Sequence, residues 1–230
     1  DWILIVDADE VIPKTLAKKL QAIATENIID FVRVPRKNIV FGQWLKHSRW
    51  WPDYNIRFFR SGTVTWQNEI HSVPITVGTG YNLEETEDFA IEHFHYNSID
   101  EYLIRAIRYS NQQAKELISA GYQFEAKDLI AKPIGEFISR FFAGEGYKDG
   151  LHGFVMAALQ YFSVLLVYLK VWQEQGTKKV AEKTFASTWI DVFLAKYKEL
   201  RYWLLTYKIN SSQSRVRSLV YKFLRKLSSK

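Results

Sequence analysis

Asp7 and Asp9 are separated by one alanine and follow directly on the apolar run Trp2–Val6. Bulky apolar residues in a short run predict a buried interior strand, and the end of a strand in an α/β sheet is where a chain leaves the core. If the extended alternation continues through residue 9, both carboxylates face one side and can share a divalent cation. Mg²⁺ and Mn²⁺ take oxygen ligands and leave positions for phosphate oxygens, so the chemistry implied is a metal–phosphate site. The plainer alternative is a polar strand-to-helix turn, with Asp9 or Glu10 near a helix N-terminus.

Further along lie other groups able to act. Phe89, Ile91, His93 and His95 alternate onto one face of a predicted strand over residues 89–96, and His71 lies elsewhere. These imidazoles can serve a metal or a phosphate, or can be hydrogen-bonded core histidines. Glu69 precedes His71 by two residues and shares its face in an extended segment, which makes it a candidate general base. The stretch from Phe41 to Tyr54 carries Trp44, Trp50, Trp51 and Tyr54 interleaved with Lys46, His47 and Arg49. Its rings can stack on sugars or bases, with the cations on phosphate, or can pack beneath a loop.

The elements that would position these groups are readable in outline. Pro13 with Leu16, Leu20 and Ile23 predicts a helix of about three turns. Residues 30–37 predict a strand ended by Pro35. Residues 55–60 and 63–77 predict two strands joined at Ser61-Gly62, with a further turn at Gly78–Gly80 and a solvated acidic loop at 84–88. Ser98 and Glu101 form a capping box before an amphipathic helix over 100–118, with Leu103, Ile107, Ala114 and Ile118 on its apolar side and Tyr102, Ala106 and Leu117 beside them, expected to lie on the sheet. Residues 154–169 are nearly uncharged and predict a buried or interfacial helix, just short of the ~20 residues that span a bilayer.

Composition sets limits. The 230 residues are 47% apolar and 16% aromatic, enough for a full core with aromatic surface to spare, and contain no cysteine, which excludes disulfides and thiolate chemistry. The formal charge of +6 is uneven: residues 196–230 hold ten Lys and Arg against Glu199, a net +9 that leaves −3 for the rest. Tyr197, Leu200, Trp203, Leu204 and Tyr207, and then the segment 216–227, repeat a basic amphipathic pattern suited to an anionic membrane surface. The apolar faces of this tail and the mildly acidic body argue against nucleic acid as a partner. Because a strand with no preceding element opens the chain, residues 1–230 are expected to be an N-terminally truncated piece, inactive in transfer by themselves.

Taken in order, Asp1–Glu10, Pro35-Arg-Lys-Asn38, Trp51–Arg60, Trp66 through Ile70-His71 and His93–Tyr96 resemble inverting family-2 glycosyltransferases. The likeness is greatest to the bacterial lipopolysaccharide-core glucosyltransferase subgroup and covers about residues 1–172, with Lys132-Pro133, Gly146–Gly150 and Gly153 included. The resemblance implies residues 1–96 as the C-terminal part of a nucleotide-diphospho-sugar transferase (GT-A type) α/β sandwich. A helical extension would follow over 97–172, then a membrane-associating tail over 173–230. It implies Asp9 and Asp7 on Mg²⁺ or Mn²⁺, and Asp7, Trp51, Arg57, His71 and His93 on substrate. The reaction would carry a hexose from a nucleotide-diphosphate sugar to a lipid-linked or cell-envelope glycan, on a protein peripheral to the cytoplasmic face of the membrane. The subgroup commonly has Val-His-Glu where this chain has Ile70-His71-Ser72, so Glu69 or Asp53 would have to supply the base. A haloacid-dehalogenase-like phosphatase, from Asp7-Ala-Asp-Glu-Val11, and a non-enzymatic basic binding module are the other readings.

Overall fold

The structure is a computed structural model and describes residues 1–66, 74–177 and 179–228. The chain divides into two compact units, Asp1–Asn97 and Ser98–Lys230.

The first unit is a mixed sheet with one long helix. In chain order it comprises β1 (Trp2–Leu4), β2 (Glu10–Val11), α1 (Lys14–Glu26), β3 (Phe31–Val40), β4 (Gln43–Trp44), β5 (Asp53–Arg60), β6 (Val64–Thr65), β7 (Ile75–Thr76), β8 (Gly80–Asn82) and β9 (Ile91–Tyr96). The main sheet runs β1-β5-β3-β9-β2, with β4 and β8 also paired to β3. As the heptad-like spacing predicts, α1 buries Leu16, Leu20 and Ile23, here against Val32, Val34, Phe58, Leu83 and Ile91. Phe31, Phe59 and Val64 form a second cluster with Ile5 and Ile56.

Four expectations about these elements need correction. Among the described residues Trp2–Leu4 is an edge strand, antiparallel to β5, and Ile3 and Leu4 are each 39% exposed where burial was expected. Pro35 does not end its strand. It falls between the β8 ladder, which covers residues 31–33 of β3, and the β9 ladder, which begins at Arg36, so the missing N–H lies where β3 has no partner in register on that side. The segment 63–77 is not a single strand: Val64–Thr65 and Ile75–Thr76 are separate short strands that pair antiparallel. Finally, Ile91, His93 and His95 do share a face, but β9 begins at Ile91 and not at Phe89.

The second unit is helical, with α2 (Ile99–Ser119), α3 (Asp128–Ile138), α4 (Gly150–Glu174), α5 (Glu182–Ser211) and α6 (Arg215–Ser228). The Ser98 hydroxyl accepts from the Glu101 N–H at 3.1 Å, the expected N-cap. The buried face of α2 is Tyr102, Ala106, Ser110 and Ala114, so the expected apolar side is centred on Tyr102, Ala106 and Ala114, with Ser110 added and Ile107 left 52% exposed. That face meets α4, where Tyr102 and Ser163 share a hydrogen bond of 2.7 Å and the Lys170 ammonium donates to Ser110 Oγ. The stretch Gly146–Glu174 is long and apolar enough to cross a membrane, with Leu151, Phe154 and Phe162 exposed. Among the described residues, Leu205 is the only buried side chain of α5.

Candidate active site

The acidic motif sits in a turn. The Glu10 N–H donates to the Asp7 carbonyl at 3.0 Å, closing a four-residue turn across Ala8 and Asp9. Extended alternation therefore stops before residue 7, and the two aspartates are not held side by side by a strand. Each has its own neighbour instead. The Asp7 carboxylate accepts from an Arg57 Nη, and Asp9 Oδ2 stands 3.6 Å from His93 Nε2.

Glu10 is the anchor of the turn. Its side chain is fully buried, its Oε1 accepts from Arg57 Nη2 at 2.7 Å and lies 3.6 Å from an Arg36 Nη, and its Oε2 accepts from the Asp7 N–H at 3.0 Å. A buried carboxylate is costly unless paired and hydrogen-bonded, and this one has two guanidinium groups and a backbone donor. Sheet geometry brings the arginines to it. Val34, Arg36 and Asn38 follow one another at intervals of two on β3, so Arg36 continues the face that α1 covers at Val34. In β5 the register slips so that Phe58 faces Val32 while Ile56 faces Arg33, which leaves Arg57 as the extra residue of a bulge, and bulges re-aim side chains. Arg57 Nε is buried and lacks a hydrogen-bond partner among the described residues.

Asp53, Asn38, His93 and His95 extend the network. Asp53 Oδ2 accepts from Arg36 Nε and Nη2 at 2.9 and 2.7 Å and from Asn38 Nδ2 at 3.1 Å, while its Oδ1 accepts from Asn55 Nδ2 at 3.2 Å. A carboxylate receiving four hydrogen bonds is arranged to orient its donors, and its lone pairs are engaged. Asn38 Nδ2 also donates to the Trp50 carbonyl at 3.0 Å, which turns Asn38 Oδ1 toward His93 Nδ1 at 2.6 Å. His93 therefore carries its proton on Nδ1, and its Nε2 accepts from His95 Nδ1 at 3.2 Å. Burial above all holds the His93 imidazole below its usual range; Arg36 pushes the same way, while Asp9, Glu10 and Asp53 oppose.

Of the residues singled out from sequence, Asp7, Asp9, Asp53, Arg57 and His93 belong to this one connected network, and Glu69 and His71 lie outside the described residues. Trp51 packs edge-on against Trp44 with ring centres 5.1 Å apart, and the Lys46 ammonium lies 4.0 Å from the Trp44 ring centre. The Trp50 ring meets His95 at 5.6 Å. Glu10, Arg36 and Asn38 were not picked out for roles. The available signal was two arginines set among apolar strand residues, Val34-Pro35-Arg36 and Ile56-Arg57-Phe58, which call for a buried acid.

As for a metal, no group of three or more acidic or imidazole side chains among the described residues is placed to hold an ion. The side chains of Asp7 and Asp9 are 51% and 34% exposed and carry hard oxygen donors of the kind that Mg²⁺ or Mn²⁺ takes.

No family profile matches the chain, and no solved structure matches it. It is similar to curated bacterial proteins. An uncharacterized glycosyltransferase of Rickettsia typhi is 25% identical, over 88% of this chain and 74% of that protein. One of Rickettsia conorii is 25% identical over 74% of the chain and 64% of its own length. The lipopolysaccharide core biosynthesis glycosyltransferase LpsC of Rhizobium meliloti is 24% identical over 77% of the chain and 66% of its length. The chain thus spans about two thirds to three quarters of these relatives. Their names favour glycosyl transfer over the phosphatase and binding-module readings.

Proposed function

We propose that the protein is a metal-dependent inverting glycosyltransferase of family 2 and GT-A fold, moving a hexose from a nucleotide-diphosphate sugar to a lipid-linked or cell-envelope glycan. The observation that carries this reading is the Asp7–Glu10 turn, in which the partly exposed Asp7 carboxylate is held by Arg57 and the partly exposed Asp9 carboxylate stands by His93, over a buried acid between two arginines. The similarity to proteins named glycosyltransferase, one of them in lipopolysaccharide core biosynthesis, supports it.

In transfer, the acceptor oxygen attacks the anomeric carbon, the bond from that carbon to the phosphate oxygen breaks with its electron pair going to the phosphate, and the acceptor proton passes to a base. Negative charge gathers on the departing diphosphate. Asp9 and Asp7 would hold Mg²⁺ or Mn²⁺, which when bound would supply positive charge against it. Arg57, held by Glu10 and Asp7, supplies a fixed positive charge beside it, whereas His93, buried with its ring nitrogens on Asn38 and His95, stands behind Asp9 and acts on the substrate only through that carboxylate. Trp51 is assigned to the sugar and His71 to the substrate. Glu69 is assigned as the base, because Asp53 spends its oxygens on Arg36, Asn38 and Asn55. The protein would work at the cytoplasmic face of the membrane, as a peripheral protein.

The test is to incubate the complete gene product with a panel of nucleotide-diphosphate hexoses, Mg²⁺ or Mn²⁺ and a lipid-glycan extract, and to measure nucleoside diphosphate released. Release that requires both metal and acceptor, and is lost in Glu69→Gln, is expected. Release that survives Asp7→Asn with Asp9→Asn would overturn the reading.

A further inference from the structure

α6 is amphipathic in an unusual sense, since most of its apolar side faces away from the helix it packs on, with only Leu227 at its end bordering a groove against Leu194 and Tyr197 of α5. Val216, Leu219, Val220, Phe223 and Leu227 fall on one face at helical spacing and are 71, 65, 51, 63 and 53% exposed. The opposite side meets α5 through polar and aromatic groups. Arg225 Nη1 donates to Thr206 Oγ1 at 3.1 Å and its guanidinium lies 5.3 Å from the Tyr202 ring centre, while the Lys208 ammonium lies 5.6 Å from that of Tyr221. At 100° per residue, Arg215, Lys222 and Lys226 border one edge of the apolar face and Arg217 the other. No acidic residue occurs after Glu199. An apolar stripe between two rows of cations matches a bilayer boundary, with acyl chains below and lipid phosphates on either side.

We infer that α6 is the protein's interfacial anchor, laying Val216, Leu219, Val220, Phe223 and Leu227 into the surface of an anionic bilayer while Arg215, Arg217, Lys222 and Lys226 meet lipid phosphates. This deepens the peripheral-membrane part of the proposed function and is independent of the transfer chemistry. It commits to lipid because charge and apolarity are complementary to an anionic leaflet on the same face.

The experiment is co-sedimentation of the full chain with vesicles of phosphatidylcholine alone, or of phosphatidylcholine and phosphatidylglycerol in equal parts. The expected result is binding to the mixed vesicles, weakened about five-fold for each flanking cation removed in Lys222→Gln and Lys226→Gln. Leu219→Ser with Phe223→Ser should lower binding further and abolish whatever fraction resists high salt. Circular dichroism and donor binding should stay unchanged, since every altered position is exposed. Equal binding to both vesicle types would overturn the inference. So would mixed-vesicle binding that the α6 changes leave untouched, although a peripheral protein would survive that result. Indifference to vesicles, with a self-association that Leu219→Ser and Phe223→Ser abolish, would assign the stripe to a second copy of the chain and also overturn it. None of these outcomes bears on metal-dependent transfer, which the nucleoside diphosphate assay decides separately.

Discussion

The acidic turn and the C-terminal helix pair handle charge and apolar surface in opposite ways. Around Glu10 the charges go inside: the Glu10 side chain is fully buried, and Arg36 and Arg57 are 19% and 13% exposed. Along α6 the apolar side chains go outside and the cations stand beside them. A buried ion group adds little net stability over a well-packed apolar one, so its value lies in where it fixes the groups attached to it. Here those groups are the Asp7 backbone and carboxylate. An exposed apolar stripe likewise adds nothing to folding, and its value lies in what covers it. The two regions are both arranged for something other than stability, and substitution should separate them sharply.

The largest effect is expected at Glu10. Glu10→Ala removes the acid and leaves Arg36 and Arg57 facing each other in a poorly hydrated space, a situation that costs about 3–5 kcal/mol. The fall should be read as a lower denaturant midpoint in equilibrium unfolding. An effect below about 1 kcal/mol would mean that the arginines reach water when the acid is gone, and the contrast with α6 would collapse.

Next comes the turn itself. Asp9→Asn keeps the shape of the residue and removes its charge, as Asp7→Asn does for its neighbour. On the proposed mechanism each should reduce transfer by about 10²–10³-fold, the usual scale for a group that stabilises developing charge. Both should leave the unfolding midpoint close to wild type, because these side chains are partly exposed. A kinetic loss without a stability loss would separate Asp7 and Asp9 from Glu10, only three residues and one turn away.

How much of this could be read from sequence depends on whether local pattern or distant pairing decides. α1 was legible because Leu16, Leu20 and Ile23 state its buried face locally. The Ser98 cap was legible for the same reason, and so was the shared face of Ile91, His93 and His95. Trp2–Leu4 was misread because an apolar run does not reveal whether it lies at the centre or the edge of a sheet. Pro35 was misread because only the gap between two parallel neighbours, β8 and β9, makes it tolerable within β3. At the site, Asp7, Asp9, Arg57 and His93 were named, while Glu10 was passed over as the tail of a motif. Its importance comes from Arg36 and Arg57, 26 and 47 residues distant, and the second of these is aimed by a bulge that nothing in Asn55-Ile-Arg-Phe58 announces.

The pH response of the same network sharpens the comparison on a smaller scale. His93 titrates below its ordinary value of 6.5 in the folded protein, mainly because it is buried. Above pH 6.5 both folded and unfolded chains leave it neutral, and it contributes no pH dependence. Below that, the unfolded chain takes up a proton that the folded chain refuses, so stability falls as pH drops from about 6.5 toward the lowered folded-state pKa, and the slope then vanishes. His93→Gln should remove this part of the slope in a comparison of unfolding midpoints across the window. In α5 and α6 there is no histidine, so the tail contributes nothing in this range.

The smallest expected effect is the most discriminating for the C-terminal pair. Leu205 on α5 is 9% exposed, whereas Phe223 on α6 is 63% exposed. Truncating a buried leucine to alanine costs about 2 kcal/mol or more through lost burial and the cavity left behind. Truncating an exposed phenylalanine that touches only solvent should change stability by less than about 0.5 kcal/mol. Measured in detergent-free buffer, Leu205→Ala should lower the denaturant midpoint and Phe223→Ala should leave it in place. Repeated with phosphatidylglycerol-containing vesicles, the order should reverse for binding, with Phe223→Ala the more damaging. The larger residue would then matter to the bilayer and the smaller one to the fold. If Phe223→Ala instead destabilises the chain in plain buffer, its ring is part of the core of the helix pair, and the outward stripe of α6 has no surface left to offer a membrane.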